Sequence, residues 1–159
     1  MKFDDKYPEV ARPYCACFVI LRRGSMIAMV LRKNTSYMDG YYGLPAGKSE
    51  WFEPFSKGAI RESKEEAGID INPKNLQFVH MVHRHGEAEI EQKFMDWVDV
   101  YFEASSWQGE PFNAEEHKSE RLDWIDLNNL PGNVVPSQLS ALEHIVKGVT
   151  YSEYGWDKS

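Results

Sequence analysis

Hydrophobic residues along this chain recur with two different periods, one typical of strands and one typical of helices. Residues 14–21, YCACFVIL, are apolar at consecutive positions, so this stretch predicts a strand that is buried on both faces. Turn-forming residues follow it at 22–24. Further strands are predicted at 25–32, 41–45, 76–84, 93–103 and 121–127, so the chain is rich in strands.

Helical spacing occurs in two segments, residues 54–67 and 137–147. The first segment begins with Pro54, which suits the first turn of a helix, and Gly68 follows it where a left-handed cap would end the helix. The second segment is predicted to end at Gly148 and to turn four apolar side chains inward, namely Leu139, Leu142, Ile145 and Val146.

The order of these elements predicts a single α/β domain over residues 1–159, because no repeat or linker interrupts the chain. Residues 1–12 are expected to be a loosely held lead-in. The tail at 149–159 is aromatic, so we expect it to dock on the domain or on a second subunit. A homodimer is therefore one expectation for the assembly.

The charge of the chain bears on its partners. It has 25 acidic and 18 basic side chains, a net charge of −7. Proteins that bind nucleic-acid polymers normally carry a basic surplus, so a nucleic-acid polymer is not expected as a partner. The sequence has no signal peptide and no apolar run of membrane length, so a cytoplasmic protein without a membrane partner is expected. Cys15 and Cys17 are expected to be buried free thiols, which suits a reducing compartment.

A cluster of carboxylates lies on the first predicted helix. Glu62, Glu65 and Glu66 have the spacing i, i+3, i+4, which places all three on one helix face, and Arg61 can reach Glu65. For an isolated acidic run, a solvated helix face is the usual interpretation. Carboxylates this close repel each other, and a hard cation such as Mg²⁺ or Mn²⁺ would relieve that repulsion.

The surrounding residues 47–69, GKSEWFEPFSKGAIRESKEEAGI, resemble the Nudix box, G-x5-E-x7-R-E-U-x-E-E-x-G-U, in which U is a bulky aliphatic residue. Ser63 departs from the pattern, because an aliphatic residue is usual there. The preceding residues 41–47, YYGLPAG, also resemble the family's lead-in. Eight positions match the pattern at its fixed spacing: Gly47, Glu53, Arg61, Glu62, Glu65, Glu66, Gly68 and Ile69.

The resemblance implies an α/β/α sandwich with a mixed central sheet and a metal-dependent hydrolase. The implied reaction cleaves a nucleoside diphosphate linked to another moiety, X, with Mg²⁺ or Mn²⁺ as the cofactor. Metal ligands would be Glu62, Glu65, Glu66, the carbonyl of Ala46 and a later glutamate. Arg61 would hold Glu62 or its neighbour in place, and Gly47, Glu53 and Gly68 would shape the box.

Other site residues are expected outside the box. The loop NAEEHK at 113–118 resembles loops that carry a further metal-binding or catalytic glutamate, for which Glu115 fits best and Glu116 is the alternative. Either Glu62 or Glu115 would take the proton from the attacking water. Three residues are predicted to bind the substrate, Arg32 and Lys33 through its phosphates and Asn133 through its base, although strand-end solvation and a turn explain them equally well.

Two histidine and aromatic patterns have plainer explanations. His80, His83 and His85, with help from His117, suggest a zinc site, but strand alternation separates His80 from the other two, and a solvent-facing strand edge is the favoured interpretation. On the strand 93–103, one face carries Met95, Trp97, Asp99 and Tyr101. This face suits a base-stacking pocket, and a packing layer of the sheet is the favoured alternative.

Three functions compete at this point. The favoured one is hydrolysis of a nucleoside triphosphate to the monophosphate and pyrophosphate, because the chain has the Glu115 loop and no separate substrate domain. The second is hydrolysis of an ADP-sugar or a dinucleotide polyphosphate, whose usual proline or tyrosine marker past the box is absent around residues 84–87. The third is a non-catalytic module that senses a nucleotide, which the intact charged box argues against.

Overall fold

Eight strands and two helices form the fold. The computed structural model describes residues 10–87 and 94–158. The strands are β1 Tyr14–Arg23, β2 Met26–Arg32, β3 Tyr42–Gly43, β4 Ala46–Lys48, β5 Leu76–Glu87, β6 Phe94–Ala104, β7 Ser119–Asp126 and β8 Tyr151–Tyr154. The helices are α1 Phe55–Ala67 and α2 Pro136–Val146, with short 3₁₀ turns at Pro73–Asn75 and Trp156–Lys158.

The sheet is mixed, and β1 lies at its centre. Its main strand order is β3-β2-β1-β6-β5-β8, with β4 paired to β1 and β7 paired to β2. The pairs β1–β6 and β5–β8 are parallel, and the other strand pairs are antiparallel. Because β1 pairs with β6 over most of its length and with β2 only at its end, it joins the two parts of the sheet.

Each helix covers one face of the sheet. Side chains alternate along β6, so Val100 and Phe102 pack with the α1 residues Ala59 and Ala67, whereas Tyr101 belongs to the cluster that contains α2. This alternation confirms the predicted α/β/α arrangement with a mixed sheet. Within the described residues, neither helix has the length and apolar character that a bilayer crossing requires.

Helix α1 has the predicted ends. Pro54 is its extended N-cap, and Gly68 ends it with φ +67° and a backbone hydrogen bond of 3.0 Å to the carbonyl of Lys64. Glycine suits this positive φ, and a Cβ atom there would also displace the exposed ring of Phe112. Ser63, the departure from the box, is buried and donates its hydroxyl to the carbonyl of Ala59 at 2.9 Å. The polar residue is thereby satisfied inside the helix packing.

The strand predictions need correction at two places. The strand predicted at 41–45 is reduced to β3 at Tyr42–Gly43, and the next strand, β4, begins at Ala46, after the predicted end. The predicted hinge at 85–92 starts too early, because β5 continues to Glu87; residues 88–93 lie outside the described part of the chain. The predicted lead-in also falls mostly outside it, since only Val10 to Arg12 are described.

Burial differs from prediction at two side chains. Val146 was expected to point inward and is 57% exposed at the last residue of α2, although its neighbour Ile145 packs against the core. Cys17 is buried as predicted, but Cys15 is only partly buried near the start of β1; both are free thiols.

The C-terminal tail docks on the domain itself. Its strand β8 runs parallel to β5, and Trp156 packs on the rings of His83 and His85 at centroid distances of 4.6 and 4.8 Å. His80 is fully buried, so the predicted solvent-facing edge is wrong for this residue. Its two ring nitrogens bond the carbonyl of Val149 at 2.7 Å and the hydroxyl of Ser152 at 2.8 Å, which occupies both of them within the protein.

Candidate active site

A cleft of about 670 Å³ opens between α1, the end of β2, strand β4 and the loop that joins β6 to β7. It brings together residues that are far apart in the sequence. Its walls contain five glutamates and four cationic side chains, namely Glu50, Glu62, Glu65, Glu66, Glu115, Arg32, Lys48, Arg61 and Lys118. The cleft is therefore strongly charged, with both signs close together.

One wall of the cleft is the acidic face of α1. Glu62 is only 8% exposed, Glu66 is partly buried and Glu65 is exposed. All three lie on one face of α1, as their predicted i, i+3, i+4 spacing requires. A Cβ atom at Gly47 would overlap the carboxylate of Glu62. Glycine at the end of the lead-in is thus what lets strand β4 approach the buried carboxylate.

Arg61 ties this wall together. Its guanidinium donates to both oxygens of Glu53 at 2.8 and 3.0 Å, to Glu62 Oε1 at 2.6 Å and to the carbonyl of Lys48 at 3.2 Å. It also reaches Glu65 at 3.3 Å, as predicted from the i+4 spacing. The hydrogen bonds from Arg61 hold the pKa of the Glu53 carboxyl below its usual range.

Glu53 also fixes the loop that leads into α1. Its Oε2 accepts the backbone N–H of Glu50 at 3.2 Å, so the loop closes on itself before the helix starts. Phe52, inside this loop, has φ +58° and is 89% exposed. The loop therefore holds a bulky residue in a left-handed conformation that such residues rarely adopt.

The deepest carboxylates carry unfavourable negative charge. Burial, together with the nearby charges of Glu62 and Glu115, raises the pKa of Glu66 to about 8, although the N–H of Ala46 donates to its Oε2 at 3.0 Å and opposes the shift. Burial also raises the pKa of Glu62, against the lowering effect of Arg61. This negative charge is what a bound cation would neutralise.

The opposite wall is the loop that carries Glu115. The backbone N–H groups of Phe112 and Ala114 donate to the carbonyls of Ala67 and Glu66, both at 3.1 Å, so the loop is fastened to the last turn of α1. The carbonyl of Glu115 accepts the N–H groups of Lys118 at 2.9 Å and Ser119 at 3.0 Å. Main-chain bonds thus set the position of this wall.

The same loop is also fastened to the end of β2. The backbone N–H of Lys33 donates to the carbonyl of Lys118 at 2.9 Å, and the side-chain amide of Asn34 donates to the carbonyl of His117 at 3.4 Å. Glu115 therefore faces the α1 carboxylates from a loop that is held at both ends.

The donor chemistry of the cleft fits a hard divalent cation. Among residues 10–87 and 94–158, no three His, Cys, Asp or Glu side chains gather closely enough to form a metal cage by themselves. Mg²⁺ is usually held by one or two carboxylates together with substrate phosphates and water, so a preformed cage is not required. Four glutamates around one cleft, two of them with raised pKa values, match that mode of binding.

Most residues that the sequence singled out line this cleft. Arg32, Ala46, Gly47, Arg61, Glu62, Glu65, Glu66 and Glu115 are all part of its walls. Glu53 and Gly68 stand behind them, where they bind Arg61 and end α1.

Lys33 and Asn133 lie elsewhere. Lys33 is outside the cleft lining, although it is next to Arg32 in the sequence. The side-chain amide of Asn133 donates to the carbonyl of Gly40 at 2.9 Å, and its own carbonyl accepts the N–H of Tyr42 at 2.7 Å. Both bonds are typical of a residue that joins two loops.

Sequence reasoning missed several residues of the cleft, above all Lys48, Lys118, Asn34 and Thr35. Asn34 and Thr35 belong to a segment that was interpreted only as a turn-forming loop. Lys118 is three residues after Glu115, and that spacing within a predicted site loop was the signal that could have identified it.

The polar and aromatic face of β6 is largely internal. Asp99 is 1% exposed and accepts two hydrogen bonds from Arg84, at 2.5 and 3.1 Å, which the sequence did not reveal. The guanidinium of Arg84 lies 5.0 Å from the ring centroid of Trp97, and the ammonium group of Lys48 lies 5.8 Å from the same centroid. Tyr101 packs in the core, as the packing interpretation predicts.

Comparison with known proteins agrees with this architecture. The NUDIX domain model matches residues 11–145. An uncharacterised Nudix hydrolase, YvcI of Bacillus subtilis strain 168, is 31% identical over 113 residues, which cover 69% of this chain and 66% of that protein. An ADP-ribose pyrophosphatase of Methanocaldococcus jannaschii is 28% identical over 127 residues, which cover 79% of this chain and 69% of that protein.

Solved structures extend the likeness to the fold. The crystal structure of the MutT NUDIX hydrolase from Burkholderia pseudomallei superposes with a TM-score of 0.72 at 29% identity, covering 83% of this chain and 97% of that one. The chain spans about two thirds of the length of the curated relatives that it matches. Because the family model covers most of the sequence and the box residues gather in one cleft, the chain belongs to the Nudix family of hydrolases.

Proposed function

We propose that this enzyme hydrolyses a nucleoside diphosphate linked to another moiety, with Mg²⁺ or Mn²⁺ as the cofactor. The observation that carries the proposal is the convergence of Glu62, Glu65, Glu66 and Glu115 on one cleft, where burial and mutual repulsion raise the pKa of Glu66 to about 8. These four glutamates would hold the metal. When bound, it would neutralise the phosphate charges and acidify the attacking water.

The chain's own residues have distinct parts in this proposal. Arg61 orients the carboxylate of Glu62 through a 2.6 Å hydrogen bond, which keeps that buried group in one position. Ala46 does the same for Glu66 through its backbone N–H. Glu115 is the better candidate to accept the proton of the water, because none of the arginines that the structure describes bonds its carboxylate, whereas Glu62 already accepts a bond from Arg61.

The favoured substrate is a nucleoside triphosphate, which would be cleaved to the monophosphate and pyrophosphate. Its support is the number of cations in the cleft, since Arg32, Lys48, Arg61 and Lys118 all line the same walls as the carboxylates. A longer polyphosphate chain brings more negative charge and uses such cations better than a diphosphate does.

ADP-ribose is the second candidate. It is favoured by the ADP-ribose pyrophosphatase of Methanocaldococcus jannaschii, whose sequence matches 79% of this chain at 28% identity. The two substrates differ in what lies beyond the cleaved linkage, phosphate in one and a sugar in the other, so a direct comparison of their turnover separates them.

The test is hydrolysis of a panel of nucleoside triphosphates, ADP-ribose and diadenosine polyphosphates, with phosphate measured with and without added pyrophosphatase. We expect monophosphate and pyrophosphate from triphosphates, loss of activity in EDTA, and recovery with Mg²⁺ or Mn²⁺. Hydrolysis in ¹⁸O-labelled water identifies the phosphorus that is attacked. Diphosphate and orthophosphate as primary products would rule out the favoured substrate, and cleavage of ADP-ribose alone would establish the second candidate.

A further inference from the structure

The four cations of the cleft differ in how far the protein already uses them. Arg61 is bonded to Glu53, Glu62 and the carbonyl of Lys48. A donor that is already committed to a protein carboxylate must give up that bond before it can bind a substrate phosphate. Arg61 is therefore a positioning residue of the helix wall.

Arg32 and Lys48 are also engaged. Arg32 donates to the carbonyl of Tyr37 at 3.0 Å and to the hydroxyl of Thr35 at 3.2 Å, and it stacks on the Tyr37 ring. The ammonium of Lys48 lies 5.8 Å from the centroid of the Trp97 ring. These contacts direct both side chains toward neighbouring protein groups.

Lys118 is different. Among the described residues, Lys118 forms an ion pair with Glu115, whose Nζ–Oε1 distance of 3.7 Å is too long for a hydrogen bond. Its side chain is 55% exposed and lines the cleft. An ammonium group has three donors, so Lys118 can bind an anionic ligand without breaking a strong bond within the protein.

The backbone of Lys118 is nevertheless held firmly. Its N–H donates to the carbonyl of Glu115, and its carbonyl accepts the N–H of Lys33, both at 2.9 Å. The side chain therefore starts from a fixed point on the loop wall, facing the carboxylates of α1 across the cleft. A lysine whose backbone is held in place and whose ammonium group makes no short hydrogen bond within the protein is well suited to bind a phosphate.

We propose that Lys118 binds a non-bridging phosphate oxygen of the substrate from the loop wall, and that it selects nucleoside triphosphates over substrates with only two phosphates. The inference rests on the proposed function. A third phosphate adds charge to the chain that lies between the two walls, and Lys118 is the lysine that lines the cleft from the loop wall. Lys33, which the sequence favoured, lies outside the cleft lining and is the matched control.

The experiment compares Lys118→Met, Lys118→Arg and Lys33→Met with the unmodified protein in saturating Mg²⁺. For Lys118→Met we expect KM for the triphosphate to rise about tenfold or more, with kcat changed less than about threefold, because a contact shared by ground and transition states is lost. KM for ADP-ribose should change by less than about threefold, and Lys118→Arg should recover most of the loss. Lys33→Met should stay within about twofold on both substrates.

A second measurement does not depend on turnover. Calorimetric titration with inorganic triphosphate and Mg²⁺ should show weaker binding to Lys118→Met by about the same factor, and unchanged binding to Lys33→Met, whereas inorganic pyrophosphate, which has only two phosphates, should bind both variants as it binds the unmodified protein. If the unmodified protein hydrolyses no nucleotide, the proposed function fails, while this titration still tests the lysine. The inference is overturned if Lys118→Met leaves either the KM for the nucleoside triphosphate or the binding of inorganic triphosphate unchanged, if its pyrophosphate binding weakens equally, or if Lys33→Met is equally impaired. Thermal midpoints of all variants check that each one folds.

Discussion

The two walls of the cleft are built in opposite ways. The helix wall depends on side chains, because Arg61 bonds Glu53, Glu62 and the carbonyl of Lys48 at once. The loop wall depends on the main chain, since the backbone of residues 112–119 is bonded to the end of α1 and to the end of β2. One wall is a network of charges, and the other is a backbone scaffold that carries charges.

This difference predicts how substitutions act. Removing a side chain from the helix wall changes the position of its neighbours, so activity and stability should change together. Removing a side chain from the loop wall leaves the scaffold in place, so activity should change alone. The following substitutions test that contrast.

The largest effect is expected from Glu66→Gln. Glu66 is close enough to Glu62 and Glu115 for their charges to raise its pKa, and a neutral amide there is a much weaker ligand for Mg²⁺ than the carboxylate. We expect roughly a thousandfold loss of kcat with the fold intact. Turnover is measured at saturating Mg²⁺, and near-normal turnover under that condition would remove Glu66 from the site.

On the loop wall, Glu115→Gln should lower kcat by roughly a hundredfold, the usual effect of losing a general base, while the thermal midpoint stays within the error of measurement. Glu116 is the matched control, because it is the exposed neighbour and lies outside the cleft lining. A larger loss from Glu116→Gln than from Glu115→Gln would mean that the catalytic loop has been assigned one position too early.

Arg61→Met should affect both properties, as the contrast requires. It leaves two poorly exposed carboxylates, Glu53 and Glu62, without their charged donor, so we expect about 2 kcal/mol of lost stability together with a loss of activity. The control on the same helix is Lys64→Met, whose ion pair with Asp70 is exposed and should matter little. Urea unfolding measures the stability of both variants, and equal stabilities would contradict the stabilising role of the Arg61 hydrogen bonds.

The pH dependence of stability should identify Glu66 as well. Its pKa is about 8 in the folded protein against 4.5 as an ordinary glutamate, so the folded state holds this proton more tightly than the unfolded state does. In EDTA, this group should therefore make the free energy of unfolding fall as pH rises from about 4.5 to about 8. Denaturant unfolding across that range measures the slope. Glu66→Gln should flatten it and raise stability near pH 8; an unchanged slope would show that Glu66 is not its source.

The smallest effect concerns the loop before α1. Phe52→Gly should raise stability by about 1 kcal/mol, because glycine adopts a positive φ without the strain that phenylalanine carries there. Trp51→Gly is the neighbouring control and should have the opposite sign, since Trp51 is not among the residues with positive φ. Thermal unfolding of the two variants measures both effects. A gain in stability for Phe52→Gly alone indicates backbone strain, and a gain for both variants indicates that exposure of the aromatic ring is the cause.

The helix wall could be predicted from sequence because its geometry is local. A spacing of i, i+3, i+4 places Glu62, Glu65 and Glu66 on one face of any helix, and Gly68 marks the end of this one. Strand periodicity in the same way separated the side chains of β6 into its two faces.

The loop wall depends on contacts between distant segments, and local patterns do not contain them. Lys33 and Lys118 are similar in sequence terms, and only the pairing of the β2 end with the loop decides which lysine enters the cleft. The buried position of His80 likewise depends on β8, which arrives some 70 residues later, at a separation that periodicity cannot span.

A loop that is held by its own backbone has a consequence for how such an enzyme can diversify. Most hydrogen bonds at residues 112–119 join backbone groups, although the side-chain amide of Asn113 also donates to the carbonyl of Ser119 at 2.7 Å. Lys118 takes part through its backbone N–H and C=O, which every residue except proline would also supply. Mutational drift at position 118 can therefore explore new substrate preferences while the architecture stays constant. On the helix wall, the Arg61 network offers no comparable freedom, since each change there disturbs several partners at once. Substitutions are therefore expected to accumulate more readily on the loop wall than on the helix wall.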